Sequence, residues 1–291
     1  MALHIGSCSW KFPSWEGLVY TSREPASFLA EYSRSFRTVE IDQWFWSLFG
    51  RETIRLPDPR DVARYLSEVD REFRFGVKAA NSVTLTHLYK QARRDAGKEN
   101  PHFLSPELMR SFLERIAPMR GQIDSLMLQF EYLNKQKMSG PDEFLRRLGE
   151  FFNEVPPDWP YAVELRNPNY LKAPYFDFLK ERGVRHVFCH GYYMPPVYET
   201  YRAFGDRIEG STVIRLLGWD RSGIEKRTGK KWHSLVEPHD EELDRIASMV
   251  RDLLGRGVDV AVYVNNHYEG SAPLTIGRLN ERLSDVDRKA E

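Results

Sequence analysis

Cysteine is scarce in this 291-residue sequence. Cys8 and Cys189 are the only two, too few and too far apart for a disulfide framework or a four-cysteine zinc site, and each reads as a buried thiol. Long apolar runs are missing as well. No window approaches the roughly 20 apolar residues that cross a bilayer, and residues 1–3 carry neither the basic start nor the small-residue cleavage site of a secretory signal. A soluble, cytoplasmic protein with no membrane partner is expected. Net charge is absent, with 42 basic residues against 42 acidic ones, so any attraction for nucleic acid or another anion has to be local. There is no Gly/Ser linker, low-complexity run or internal repeat, which favours one domain over residues 1–291 with a polar tail at 284–291. No Walker loop, dinucleotide fingerprint or Gly-x-Ser-x-Gly elbow occurs, which disfavours a nucleotide triphosphatase, a Rossmann dehydrogenase and an α/β-hydrolase.

What is present is a rhythm. Short runs rich in β-branched or aromatic residues alternate with longer helical patterns, as in parallel strands joined by crossover helices. Eight runs fit: Leu3–Ser7, Thr38–Ile41, Arg74–Ala79, Ser125–Phe130, Tyr161–Leu165, Arg185–Cys189, Thr212–Leu216 and Asp259–Val264. Eight is the count that closes a TIM-type (β/α)8 barrel. Asp58-Pro59 and Ser105-Pro106 each place a capping side chain before a first-turn proline. Gly183, and Gly255 or Gly257, read as left-handed helix stops. Residues 190–211 contain Pro195-Pro196 and little helical periodicity, so the sixth crossover is expected to be irregular.

Barrel chemistry sits at the carboxyl ends of the strands. The polar residues expected there are Ser7, Ser9, Glu40, Asp42, Lys78, Asn81, Gln129, Glu131, Glu164, Arg166, His190, Arg215, Asn265, Asn266 and His267. Glu40 and Glu164 are the acids most firmly set in strand patterns. Burying them requires cations, and Lys78, Arg166 and Arg215 are the expected partners. The pair reads as general acid and base, or as ion pairs that tie strands together. No cofactor is implied. A divalent metal on Glu40, Glu164, His190 and His267 is the minor alternative, because no diagnostic spacing such as His-Glu-x-x-His accompanies them.

Four of the seven tryptophans precede residue 47. Trp10 and Trp15, with Phe12 and Tyr20 nearby, are candidates for stacking on a sugar or base, and Trp44, Phe45 and Trp46 form a second group; core packing is the competing role. Basic residues concentrate in two segments. Lys90, Arg93, Arg94 and Lys98 stand against Asp95 and Glu99; Arg221, Lys226, Arg227, Lys230 and Lys231 stand against Asp220 and Glu225. Lys226, Lys230 and Lys231 are therefore expected to hold anions, on the strand-seven exit where many barrels bind phosphate.

Ile5-Gly6-Ser7-Cys8-Ser9-Trp10, Thr38-Val39-Glu40-Ile41, Phe75–Lys78 with Thr86-His87, Leu128-Gln129, Glu164-Leu165-Arg166 and Asn265-Asn266-His267 with Ala272 occur in that order. This ordered set resembles the YecE-like family, also called domain of unknown function 72, across nearly the whole chain. The resemblance implies a TIM-type barrel and no assigned reaction, and it implies that Glu40, Lys78, His87, Gln129, Glu164, Arg166, Arg215, Asn265 and Asn266 are shared polar positions. Three segments depart from the family pattern: Asp42-Gln43-Trp44-Phe45-Trp46 replaces Asn-Ser-Thr-Phe-Tyr, Gln129-Phe130-Glu131-Tyr132 replaces Gln-Pro-Pro, and Arg215-Leu216-Leu217-Gly218 replaces Arg-Leu-His-Gly. The chain reads as a divergent branch.

The leading functional expectation is an enzyme acting on a phosphate-bearing substrate, whether nucleic acid, nucleotide or sugar phosphate. In it Glu40, Glu164, Lys78, His87 and Arg166 are catalytic, and Ser7, Trp10, Trp15, Gln129, Arg215, Lys226, Lys230, Lys231, Asn265, Asn266 and His267 bind substrate. The alternatives are a glycosidase-like barrel using Glu40 and Glu164, and a non-catalytic binding protein. Oligomeric state is not encoded in any of these features.

Overall fold

The computed structural model describes residues 1–89, 92 and 95–284. Its strands β1 (Leu3–Ser7), β2 (Thr38–Ile41), β3 (Arg74–Lys78), β4 (Ile123–Gln129), β5 (Tyr161–Glu164), β6 (Arg185–Gly191), β7 (Ser211–Gly218) and β8 (Asp259–Val264) form a closed barrel in sequence order. Helices α1 (Phe28–Ser35), α2 (Pro59–Glu68), α3 (Asn81–Thr84), α4 (Pro106–Ile116), α5 (Pro141–Glu154), α6 (Ala173–Glu181), α7 (Val197–Phe204), α8 (Arg221–Thr228), α9 (Asp240–Gly255) and α10 (Ala272–Ser284) occupy the connections. The architecture is the TIM-type (β/α)8 barrel. Three strands match their sequence limits residue for residue. Others run further because their ends find partners: Ile123 pairs with Phe75, and Gly218 with Gly191.

The caps act where the sequence puts them. Asp58 accepts the Arg60 N–H ahead of α2, and Ser105 accepts the Leu108 N–H ahead of α4. Gly183 (φ +62°) and Gly257 (φ +82°) supply the left-handed turns after α6 and α9. Two connections are more helical than expected. The sixth crossover contains α7, because Pro196 falls on the cap, where a proline ring is harmless, and Val197 and Thr200 supply a buried face. Its irregularity is confined to the start, where Tyr192 and Tyr193 both take positive φ. The segment after β7 carries α8, capped by Asp220, which accepts the Gly223 N–H. Of the expected polar tail, Ser284 closes α10 and residues 285–291 lie outside the described residues. Among the described residues no helix is long and apolar enough to cross a membrane.

The chain divides into two compact units, one made of Met1–Glu40 with the chain from His186 onward, the other of Ile41–Arg185. In the first unit the parallel ladders run β2, β1, β8, β7, β6. Side chains alternate across a strand, so register decides which side each residue takes. Gly6, Tyr263, Arg215 and Cys189 are register partners on one side, and Thr38 and Glu40 join them because Val39 pairs with Ser7. Ser7, Val264, Leu216 and His190 take the opposite, helix-facing side. In the second unit β3, β4 and β5 pair in parallel. Val77, Leu126, Leu128 and Val163 form the fully buried apolar side, and Lys78, Met127, Gln129, Ala162 and Glu164 the other.

Glycine lets the last three strand exits of the first unit close up. A Cβ on Gly191 would lie 2.2 Å from the Gly218 carbonyl oxygen, and one on Gly218 would lie 2.3 Å from that of His267; both glycines have positive φ. Gly218→Ala should therefore cost at least about 1–2 kcal/mol from the left-handed backbone alone, before any steric shift, and urea unfolding should show a lowered midpoint with an unchanged slope.

Candidate functional site

In the first unit, Glu40 and Arg215 form a bidentate pair: Nε donates to Oε2 and Nη2 to Oε1, both at 2.8 Å. Glu40 is 0% and Arg215 4% exposed. The pair joins β2 to β7, with β1 and β8 between them, so it spans the interior side of this ladder. Gly6 lies between its ends and adds no side chain, and Thr38 Oγ1 meets the Tyr263 hydroxyl at 3.2 Å on the same side. A carboxylate held by two charge-assisted hydrogen bonds along one edge of a guanidinium is fixed in orientation. It makes a fixed wall rather than a proton donor.

Other expected ligand-holders in this unit are turned elsewhere. Ser7 faces α1, where the Tyr32 hydroxyl accepts its N–H at 2.9 Å and donates to the Thr38 carbonyl at 3.0 Å. Trp10 and Trp15 are not stacking platforms, because both rings are buried; Trp15 packs among Phe12, Tyr20 and Tyr32. His190 faces the helices too. Its Nδ1 accepts the Val197 N–H at 3.3 Å, so its proton sits on Nε2 and is donated to Glu242 at 2.9 Å. Burial pushes the Glu242 carboxyl up, but His190, His239 and Tyr268 outweigh it and leave it below the usual range. Asn266 caps α10 by accepting the Ala272 N–H.

Three of the five basic residues at 219–233 are held in ion pairs. Glu225 takes Arg221 Nε at 2.9 Å, His267 Nε2 at 3.0 Å and Lys230 Nζ at 3.3 Å, while Arg227 pairs with Glu237. Lys226 and Lys231 are exposed and meet no carboxylate among the described residues. The Asn265 Oδ1 holds the other side of His267, meeting Nδ1 at 2.6 Å and accepting its N–H at 3.0 Å. Burial pulls the His267 pKa down against the attraction of Glu225. In the other basic segment Lys98 pairs with Asp95 at 2.8 Å, and Lys90, Arg93 and Arg94 lie outside the described residues.

The second unit gathers the remaining candidates. Lys78, Gln129 and Glu164 end three adjacent strands on one side of the ladder. Arg166 Nη2 stands 2.5 Å from Glu164 Oε1, a close ion pair without the angles of a good hydrogen bond. Lys78 Nζ lies 4.0 Å from the centre of the Phe45 ring, a desolvated cation–π contact. Next to Phe45, Trp46 is half exposed and packs on Tyr89 at 6.2 Å. Tyr132, past the end of β4, is 59% exposed. These are the open rings of this unit, and position alone in an aromatic-rich segment did not separate them from the buried Trp44.

Glu131 is the residue whose importance sequence reading missed. Its Oε1 accepts the Thr86 hydroxyl at 2.9 Å and the Thr86 N–H at 3.3 Å, while its Oε2 takes the Tyr89 hydroxyl at 3.3 Å and the Lys137 ammonium. His87 Nδ1 lies 3.0 Å from the same Thr86 hydroxyl. The one available signal was an acid two residues beyond a strand-end glutamine. Among the described residues no group of three or more His, Cys, Asp or Glu is placed to hold a metal ion. Of the four proposed metal ligands, His190 and His267 are committed to the partners just described and Glu40 to Arg215.

Closed eightfold topology with ionisable side chains at the strand exits defines a (β/α)8 barrel of the kind that carries sites at its carboxyl-terminal face. Residues 4–291 match the family described as "Protein of unknown function DUF72", and the chain belongs to it. A DUF72 family protein from Thermotoga maritima MSB8 is similar in structure, with a TM-score of 0.67 and 21% identity over 97% of this chain and 99% of that one. One from Enterococcus faecalis V583 gives a TM-score of 0.67 and 20% identity over 97% and 95%. At these identities the likeness establishes the fold. No curated protein matches.

Two tests follow. Arg215→Met leaves Glu40 buried without its guanidinium and should cost about 3–5 kcal/mol, whereas Glu40→Leu combined with Arg215→Met should recover much of that loss; chemical denaturation of the three proteins measures it. Arg221, then His267 and Lys230, hold the Glu225 carboxyl down to about 2 from 4.5. A depressed folded pKa contributes stability above the unfolded value that disappears as pH falls through the folded one. Glu225→Gln should thus be less stable than the parent at pH 7, by a modest margin because the site is partly solvated, and the gap should close between about pH 4.5 and 2.

Proposed function

We propose that this protein is an enzyme acting on a phosphate-bearing substrate at the strand exits of the second unit. The observation that carries the reading is the row of Lys78, Gln129 and Glu164 on one side of adjacent strands, with Arg166 against Glu164. Burying two cations and a carboxylate costs more than burying apolar groups of the same size. Such a cluster at the carboxyl ends of barrel strands is better explained by chemistry than by stability. Lys78 and Arg166 would meet phosphate oxygens, Gln129 would supply a directional hydrogen bond, and Glu164 and His87 would carry protons. The open faces of Trp46 and Tyr132 suit a base or sugar ring of the substrate. In the first unit, Lys226 and Lys231 add a local attraction for anions. Neither metal nor organic cofactor is invoked.

The glycosidase reading is weaker. It needs a carboxyl group that can lend a proton, and Glu40 is locked to Arg215 by two charge-assisted hydrogen bonds.

Calorimetric titration with inorganic phosphate, together with turnover of bis(4-nitrophenyl) phosphate and 4-nitrophenyl phosphate, tests the proposal. Phosphate should bind more weakly as salt rises from about 50 to about 200 mM. Glu164→Gln should lower ester turnover about 10²–10⁴-fold without lowering the thermal midpoint by a comparable measure. Phosphate that fails to bind at low salt overturns the reading. Binding without turnover of either ester would make the protein a binding module, and turnover of a 4-nitrophenyl glycoside that is lost in Glu40→Gln would restore the carbohydrate reading.

A further inference from the structure

We infer that Glu131, Thr86 and His87 form a hydrogen-bonded relay that, in the neutral His87 ring, fixes the proton on Nδ1 and the lone pair on Nε2, making Nε2 the base that accepts a proton from water attacking a phosphate ester. The identity of the ester rests on the function proposed above; the tautomer does not.

Counting protons fixes the tautomer. An ionised carboxylate only accepts hydrogen bonds, and Glu131 receives four donors: the Thr86 N–H, the Thr86 hydroxyl, the Tyr89 hydroxyl and the Lys137 ammonium. Burial and the charge of Glu131 push the Tyr89 phenol up to about 12, so it remains a donor. The Thr86 hydroxyl has a single proton, and at 2.9 Å it is directed to Glu131 Oε1. Toward His87 the hydroxyl can then only accept. Nδ1, 3.0 Å away, must donate, and in a neutral ring that leaves Nε2 without a proton.

The backbone braces this arrangement. His87 bridges to Glu99, the Leu88 N–H donates to the Lys98 carbonyl, and the Asn100 side-chain amide donates to the Ser82 and Leu85 carbonyls. Glu131 lies two residues beyond Gln129, the last residue of β4. The relay therefore ties the segment after β3 to the exit of β4 and brings the imidazole with it. The ring is half-buried, and among the described residues no group meets Nε2.

Contrast His190, where the Val197 N–H occupies Nδ1 and Glu242 takes the Nε2 proton. Both nitrogens of that ring are consumed by the fold. His87 has one nitrogen oriented and one available.

In the chemical step the water oxygen bonds to phosphorus as the bond from phosphorus to the alcohol oxygen breaks. The water proton passes to His87 Nε2, the departing oxygen takes a proton from solvent by way of Glu164, and the imidazolium returns its proton to solvent. The sum is ester plus water giving alcohol plus phosphate. His87 is the catalytic residue; Thr86 and Glu131 are positioning residues that act through it.

The test is long-range ¹H–¹⁵N correlation on protein labelled at histidine, near neutral pH, with the His87 signal assigned by its loss in His87→Gln. The parent protein and Thr86→Ser should show Nδ1 protonated and Nε2 unprotonated. Thr86→Val, which keeps the shape and removes the hydroxyl, and Glu131→Gln should shift the proton toward Nε2. Turnover of bis(4-nitrophenyl) phosphate should fall about 10²-fold or more in His87→Gln, fall in Thr86→Val, and return in Thr86→Ser. A parent signal with the proton on Nε2, or a tautomer indifferent to both Thr86→Val and Glu131→Gln, overturns the relay even if phosphate esters are turned over. Should the tautomer behave as stated while phosphate fails to bind, the relay stands and the phosphate reading falls.

Discussion

A buried guanidinium and carboxylate joined by two parallel hydrogen bonds cannot be parted without leaving a bare charge in a dry interior, a penalty of several kcal/mol. Glu40 and Arg215 are in that position, and they lie on strands separated by β1 and β8. The ladder of the first unit must therefore curve enough for β2 and β7 to meet across its inner side. Glycine at position 6 serves the same geometry from below: a Cβ there would lie 2.0 Å from the Thr38 carbonyl oxygen, so β1 could not approach β2 with any other residue. The pair accordingly reads as a constraint on the strands before it reads as chemistry.

Period-two alternation then distributes everything else. Once Glu40 and Arg215 are on the inner side, Ser7 and His190 are on the outer one, and each finds its partners in the helices, Tyr32 for Ser7 and Glu242 for His190. In the second unit the same alternation gives β3, β4 and β5 an aliphatic side of Val77, Leu126, Leu128 and Val163 and a side on which Lys78, Gln129 and Glu164 end in a row. A strand pays nothing extra to place a polar residue at its last position, where the helix layer ends and the loop begins, which is why the same fold tolerates so many chemistries there.

The strands were legible in the sequence because β-branched runs bounded by turn residues carry the pattern locally, and Asp58, Ser105 and Gly183 announced helix ends by mechanisms that need no tertiary information. α7 and α8 were not legible. α7 is two turns behind a Pro-Pro pair, and the periodicity of α8 is masked by its many charges, so each depends on burying a few residues such as Val197 and Ile224. At the site, residue types were readable and orientation was not. Sequence brings Ser7 and Glu40 to strand ends on equal terms, and only the register of neighbouring strands tells that they face opposite ways. Trp10 and Trp15 against Trp46 is the same problem for rings. Net charge misled at residues 219–233, because Glu225 enters a sum as one negative charge, yet in space it collects Arg221, Lys230 and His267 together.

The two units differ in how completely their ionisable groups satisfy one another. In the first, Glu40 is consumed by Arg215, Glu225 by Arg221, Lys230 and His267, and both nitrogens of His190 and of His267 have partners. A site in which every donor and acceptor is already met has little to offer a substrate except field and shape. The second unit is arranged asymmetrically: the network around Glu131 saturates the carboxylate and the threonine hydroxyl but ends on an imidazole with one nitrogen still open. Directional chemistry requires a group held by the fold on one side and presented on the other, and among the histidines with resolved partners on both strand-exit regions His87 meets that requirement where His190 and His267 do not.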